Sequence, residues 1–372
     1  MQSAGFPEQH TTRADNRRPF FDKEATGIIK GIALFMMFVH HFFSFPAWWG
    51  KGISYPLIGK FAPYFSAPLK LCVPIFCFIT GYFYFFNKHK TYKYSFKKIS
   101  DILISYWCVF FIFAILAAVL TGYKYSFGDF LAECFALKYP TMIFCWYINF
   151  YIVFMLLFPI IAKLLSRNIH LDLFISLILI PNIFRAVGHF ISNDMLYEMI
   201  EHQQLWISCV LMGYVFADHG LFEKLRLLNA RIIKDKRLNT VLMIIAAFCL
   251  PYGRRAAPTL TLFFGRPPVF DISMDVVYAP LFIYAVVYLC SVIDFRALKK
   301  PLIVIGKYSM LMWFMSCIFY GNCKTIFQPI LYAPRNPILV TIWGHIICLS
   351  VSFVLDKAIT KIQRCKNKLL HL

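Results

Sequence analysis

Charge is scarce in this chain, and acidic charge is scarcer still. Of its 372 residues only 15% are charged, and the 18 Asp and Glu are outnumbered by 38 Lys and Arg. Soluble domains carry about a quarter of their residues as charges, so a water-facing globular surface is excluded for most of the sequence. No stretch is both polar enough and long enough to form a separate soluble domain. The twelve cysteines include no C-x-x-C pair, which removes the common structural-zinc spacings, and no metal is expected. Only Cys134 and Cys323 are expected in segments on the outer side of the membrane, and a bond between them stays open because nothing in the sequence brings them together. The first 25 residues lack the apolar core and small-residue cleavage site of a secretory signal. The first hydrophobic run is therefore expected to remain as a membrane span.

Apolar residues fill the space that charge leaves. Sixty per cent are hydrophobic and 19% aromatic, with a mean hydropathy of +0.64. Ten segments approach the ~20 residues a helix needs to cross the hydrocarbon core. They lie near 26–45, 69–87, 101–120, 142–162, 171–190, 203–218, 238–253, 272–293, 301–320 and 337–356. The second holds Pro74, the fifth is interrupted by Pro181, Asn182 and Arg185, and the seventh is short. With the N-terminus inside, 25 of the 38 Lys and Arg fall in cytoplasmic segments and 11 outside, as the positive-inside rule requires. The expectation is an all-α integral membrane protein with about ten transmembrane helices and both termini cytoplasmic. Residues 1–25 form a cytoplasmic tail, 26–356 a ten-helix membrane domain and 357–372 a basic cytoplasmic tail. The net charge of +20 then faces anionic lipid rather than nucleic acid. The mixed aromatic and basic stretch Lys88–Lys98 reads as an interfacial loop.

Two polar residues stand out in the first run. Lys30 and His41 are eleven positions apart, which is three helical turns plus about 20°, so they share a face. Leu34 and Met37 make an apolar strip between them. The imidazole lies roughly 16 Å along the helix from the lysine. Ionisable groups inside a membrane segment are costly and mark function by default. The ordinary alternatives are a snorkelling lysine and a histidine that joins two helices. His40 lies about 80° round the helix and would orient its neighbour.

The stretch Lys30-Gly-Ile-Ala-Leu-Phe-Met-Met-Phe-Val-His-His41 resembles the first-span signature of the acyltransferase type 3 family, bacterial integral-membrane O-acyltransferases. There a basic residue, usually Arg, precedes a His by the same interval, and here Lys30 replaces the Arg. Four further stretches are similar to the same family. They are Val73-Pro-Ile-Phe-Cys-Phe-Ile-Thr-Gly-Tyr82, Trp146-Tyr-Ile with Pro159, Leu211-Met-Gly-Tyr214, and Gly306-Lys-Tyr-Ser-Met-Leu-Met-Trp-Phe-Met-Ser316. Thr80 stands where Ser is usual, and Ser316 where many members carry His.

The resemblance implies an acyl-CoA donor, acetyl-CoA first, at the cytoplasmic side and a hydroxyl acceptor on a carbohydrate or lipid-linked glycan. It also implies a multi-pass protein of the bacterial cytoplasmic membrane, surrounded by membrane lipid. His41, with His40 beside it, is the expected catalytic base; Lys30, Lys97 and Lys98 are expected to hold the donor's phosphates. Arg254 and Arg255, with Arg266, are outer-loop cations expected to recognise an anionic acceptor. Tyr147, Asn149 and Thr80 are expected to bind substrate through hydrogen bonds, against the plainer role of joining helices. Asp275 is expected either to pair with an outer arginine or to orient His41. The rival reading is a transporter or flippase for a polar lipid or small solute. The near absence of Asp and Glu from the centres of the spans speaks against it.

Overall fold

A computed structural model describes residues 20–50, 53, 61–87, 89–165, 167–262 and 270–369. Arg266 and Lys88 lie outside the described residues, as does the tail up to residue 19. The described residues form thirteen helices, a short 3-10 turn at Pro46–Trp48 and one hairpin. They run α1 (Lys23–Phe43), α2 (Ala62–Phe85), α3 (Tyr92–Thr121), α4 (Phe127–Cys134), α5 (Trp146–Leu164), α6 (Ile169–Gly188), α7 (Asp194–Asp218), α8 (Leu221–Ile232) and α9 (Lys236–Ala256). The hairpin strands β1 (Thr259–Leu262) and β2 (Phe270–Ser273) follow, then α10 (Asp275–Val292), α11 (Arg296–Phe319), α12 (Lys324–Tyr332) and α13 (Pro337–Leu369).

By length and composition, eight of these helices can cross a membrane, and nine if α7 and α8, bent by 72°, count as one span. The protein is therefore a multi-pass helical membrane protein. The seventh expected span is present as the 21-residue α9. It is not among the apolar set, since Lys236, Arg237, Arg254 and Arg255 occupy its ends. The fifth expected span is continuous despite its proline. A π-helical turn over Ile175–Leu179 sits just before Pro181, which places the missing N–H where the helix is already widened. The Asn182 amide donates to the Ile178 carbonyl at 2.7 Å and satisfies one freed acceptor. The second span begins earlier than expected, because a short helix and a 3-10 segment at Ala67–Leu71 lead into it. The basic segment after 356 continues α13 to Leu369.

The hairpin is a departure from an all-helical reading. Thr259 pairs with Ser273 and Leu262 with Phe270 in antiparallel register. The alternation Thr-Leu-Thr-Leu is a strand pattern that a search for long apolar runs passes over.

Two helix pairs form the centre, and both depend on glycine. A side chain on Gly81 of α2 would stand 1.7 Å from the Val210 carbonyl of α7, and one on Gly213 of α7 would stand 2.0 Å from the Phe78 carbonyl. Gly306 of α11 meets the Gly27 carbonyl of α1 in the same way, at 2.0 Å. Small residues let transmembrane backbones touch, and packing then replaces the hydrophobic drive that lipid removes. Three of the motif glycines are thus contact points between helices. The first helix is capped by Asp22, whose carboxylate accepts from the Ala25 N–H at 2.9 Å, and it is fastened to α11 by the Glu24–Lys299 ion pair.

Candidate active site

Lys30 and His41 both face the interior of the bundle. Lys30 is half-buried, two turns inside the start of α1, and among the described residues it has no hydrogen bond or carboxylate partner. The charge that acts on it comes from Lys98 of α3. Lys98 lies 5.5 Å from the centre of the Tyr94 ring, with Lys97 beside it. The acid of this region, Asp101, is already taken: Lys366 of α13 reaches it at 2.6 Å and Ser100 at 2.9 Å. The structure therefore gathers Lys30, Lys97 and Lys98 at one end of the bundle and leaves Lys30 and Lys98 without a neutralising ion pair.

His41 sits in the last turn of α1, nearer the opposite end than the middle. Its ring is stacked on Phe144 at 3.7 Å and 11°. Among the described residues its buried Nδ1 has no hydrogen-bond partner, which is costly for an imidazole nitrogen and leaves this atom open to one. His40 is fully engaged by comparison. Its Nδ1 lies 3.2 Å from the Ser66 carbonyl and 2.9 Å from the Ser44 hydroxyl, and Ser44 donates to Ser66 at 2.8 Å. A carbonyl only accepts, so Nδ1 of His40 carries its proton and the ring ties α1 to the start of α2.

The aromatic floor beneath His41 comes from parts of the chain far apart in sequence. Phe144 also meets Tyr320 at 5.5 Å and Trp48 at 6.0 Å. Two residues on, Trp146 stacks on His202 at 4.4 Å. Lys70 stands 5.8 Å above the Trp206 ring, and its charge falls on His40, His41 and His202. None of Lys70, Phe144, Trp146 and Trp206 was singled out as a site residue from sequence. Trp146 had a motif, but the contacts of all four are long-range and carry no local signature.

The remaining expected site residues divide. Tyr147, half-buried in the first turn of α5, meets Thr80 and Cys77 of α2 through its hydroxyl and Trp313 of α11 at 5.8 Å. Thr80 itself donates to the Phe76 carbonyl at 2.9 Å. One turn along α5, half-buried Tyr151 lies among Tyr84, Tyr94 and Asp101. Tyr94, Tyr151 and Tyr147 thus run from the Lys98 end towards His41. The Leu34–Met37 strip does not offer that path, since it is packed away at 0% and 6% exposure.

Asn149 is buried and donates to the Ala136 carbonyl. That turn holds Ala136 at φ 52°, so the amide serves the fold. Arg254 is held by both oxygens of Asp275, at 2.6 and 3.0 Å, which neutralises it. Arg255 is exposed over the Tyr64 ring and donates to the Pro63 carbonyl at 3.2 Å. Ser316 is buried and donates to the Trp313 carbonyl of its own helix at 2.7 Å. Cys134 and Cys323 are both free thiols. Ligand-type atoms of Asp172, Asp218 and His219 come within 4.8 Å of one another, and His219 Nε2 is hydrogen-bonded to the Asp172 carboxylate at 2.8 Å.

A family model described as an acyltransferase domain matches residues 25–357. The chain belongs to the acyltransferase type 3 family. No curated protein and no solved structure matches it. It is a membrane acyltransferase, moving groups other than amino-acyl groups. Within this acyltransferase the match begins two residues after the start of α1 and ends inside α13, so it takes in both Lys30 and His41.

Proposed function

We propose that this acyltransferase moves an acyl group, acetyl in the simplest case, from acyl-CoA to a hydroxyl of a carbohydrate or cell-surface glycan. The observation that carries the reading is the contrast along one helix: a half-buried, uncompensated cation at one end and an orphaned buried imidazole nitrogen at the other. Lys30, Lys98 and Lys97 hold the donor's phosphates as point charges. The pantetheine arm follows Tyr94, Tyr151 and Tyr147 towards Phe144. His41 takes the proton of the acceptor hydroxyl as that oxygen attacks the thioester carbonyl. The C–S bond then breaks, and the CoA sulfur leaves with the proton returned from His41. In this reading Tyr147 donates to the carbonyl oxygen as it gains charge, while Thr80, bound to the Phe76 carbonyl, holds the phenol. A relay through an acyl-enzyme is the alternative order of the same bonds.

In this reading the bundle crosses the bacterial cytoplasmic membrane about ten times, with both termini and the Lys30 end cytoplasmic. Charge placement in the loops supports that orientation. Arg254, already paired, shapes the far end, and Arg255 is left as the cation available to an acceptor.

The test is donor turnover by the full-length protein in nanodiscs, with radiolabelled acetyl-CoA and membrane glycan extract. His41→Ala is expected to lower label transfer by about 10²–10⁴-fold while acetyl-CoA still binds. Undiminished transfer by a well-folded His41→Ala protein rejects His41 as the base.

A further inference from the structure

A cavity of about 410 Å³ opens at the His41 end, beside the segment that carries Phe144. Its volume falls within the range of about 300–1,000 Å³ usual for small-molecule sites. Its lining includes the apolar Leu137, Pro140, Ile143 and Met195. It also includes Asp194 and Glu198, successive turns of α7, and Tyr139. Tyr139 donates its hydroxyl to Glu198. Burial, and then that carboxylate, push the phenol above its usual range, so it remains a donor at neutral pH. Lys138 also borders the cavity, but Asp129 holds it at 2.8 Å. The lining thus combines apolar side chains with carboxylate acceptors, and its one cation is already matched.

The cavity shares its partition with the candidate catalytic centre. Ile143 faces the cavity, and the next residue, Phe144, lies flat on His41. Glu198 is one turn from His202, which stacks on Trp146 at the other end of the same short segment. A ligand here is separated from the imidazole by the four residues Ile143–Trp146.

We propose that this cavity is an acceptor subsite for a pyranose ring that is neutral or carries an amine. The C–H face of a sugar suits Ile143 and Met195, while its hydroxyls or an ammonium group donate to Asp194 and Glu198. A uronic acid or phosphosugar meets two carboxylates and no free cation, and is disfavoured. Calling the bound sugar an acceptor rests on the acyl-transfer reading above; the binding itself does not.

The experiment uses the full-length protein in nanodiscs and saturation-transfer NMR with three probes: methyl β-glucoside, methyl β-glucosaminide and methyl β-glucuronide. The glucoside and glucosaminide are expected to bind saturably, and the glucuronide at least tenfold more weakly. Ile143→Trp fills the cavity and is expected to lower sugar binding tenfold or more. Met195→Trp repeats the test from α7 should the first variant fail to fold. Glu198→Gln is expected to weaken the glucosaminide more than the glucoside. Equal or tighter binding of the glucuronide overturns the proposal, as does undiminished binding in a folded variant with the cavity filled. Transfer of acetyl label is measured in the same samples. Selective sugar binding with no label on any sugar keeps the subsite and rejects carbohydrate acylation. Labelled sugar without the expected selectivity rejects the subsite alone.

Discussion

The two ends of α1 solve the same electrostatic problem in opposite ways. At the His41 end, Arg254 is clasped by Asp275, His40 is tied to Ser44 and Ser66, and aromatic rings cover the rest. At the Lys30 end, the charge of Lys98 falls on Lys30, and the nearby Asp101 carboxylate is bonded to Lys366. A fold that neutralises one cation so completely has the means to neutralise another. On the function proposed above, the unmatched pair is kept for an anionic group that arrives from outside, the donor's phosphates.

The matched end gives the largest expected effect when broken. Arg254→Ala leaves the buried Asp275 carboxylate alone, and losing one partner of a buried pair costs roughly 3–5 kcal/mol. A pronounced fall in thermal stability in nanodiscs is expected, partly recovered by adding Asp275→Asn. No change in midpoint would show that the pair is not holding α9 to α10.

The unmatched end should respond in the opposite sense. Lys30→Glu supplies Lys98 with a counter-charge, so the unliganded protein is expected to gain stability while acetyl-CoA affinity falls at least tenfold, which is about 1.4 kcal/mol. Lys30→Arg is expected to retain affinity, because a guanidinium also binds phosphate. A stabilised Lys30→Glu protein that binds acetyl-CoA normally would remove the cation pair from the donor site.

The smallest effect is expected between the two ends, at Glu133 of α4. This side chain is 0% exposed. Its Oε2 accepts from the Thr141 N–H at 3.0 Å, and its Oε1 has no partner. Burial raises its pKa above the ordinary carboxylate value of 4.5. The folded state therefore keeps a proton that the unfolded state loses, and stability declines as pH rises from the ordinary carboxylate range through the raised value. Below that range the contribution is fully present. Glu133→Gln is expected to flatten this part of the stability–pH curve. A curve of unchanged slope would show that Glu133 does not titrate there.

What could be read from the sequence follows from the range of each interaction. Helical periodicity and the cost of charge in lipid are local rules, so the Lys30–His41 register and the first span were legible without coordinates. The span expected at 26–45 forms as Lys23–Phe43. Pro181 looked like an interruption because the compensating π turn lies in the residues before it, which carry no turn chemistry. The β hairpin was hidden by its shortness. Phe144 could not be paired with His41 from sequence, since a stack between residues 103 positions apart leaves no spacing to recognise. Asn149 carried two readings, a substrate hydrogen bond or a structural one. The contact that sets them side by side, its amide on the Ala136 carbonyl, is a turn contact that the sequence does not display.

The glycine contacts also limit how the bundle can breathe. A carbonyl oxygen occupies the very place where a methyl would project from Gly81, Gly213 or Gly306, so α2 with α7, and α1 with α11, behave as two double staves that resist sliding lengthwise. Any passage that widens for cargo must therefore form along the seams between these staves and the looser helices around them. His41 rides on one stave, while Phe144 belongs to a turn outside both, so their stack spans such a seam.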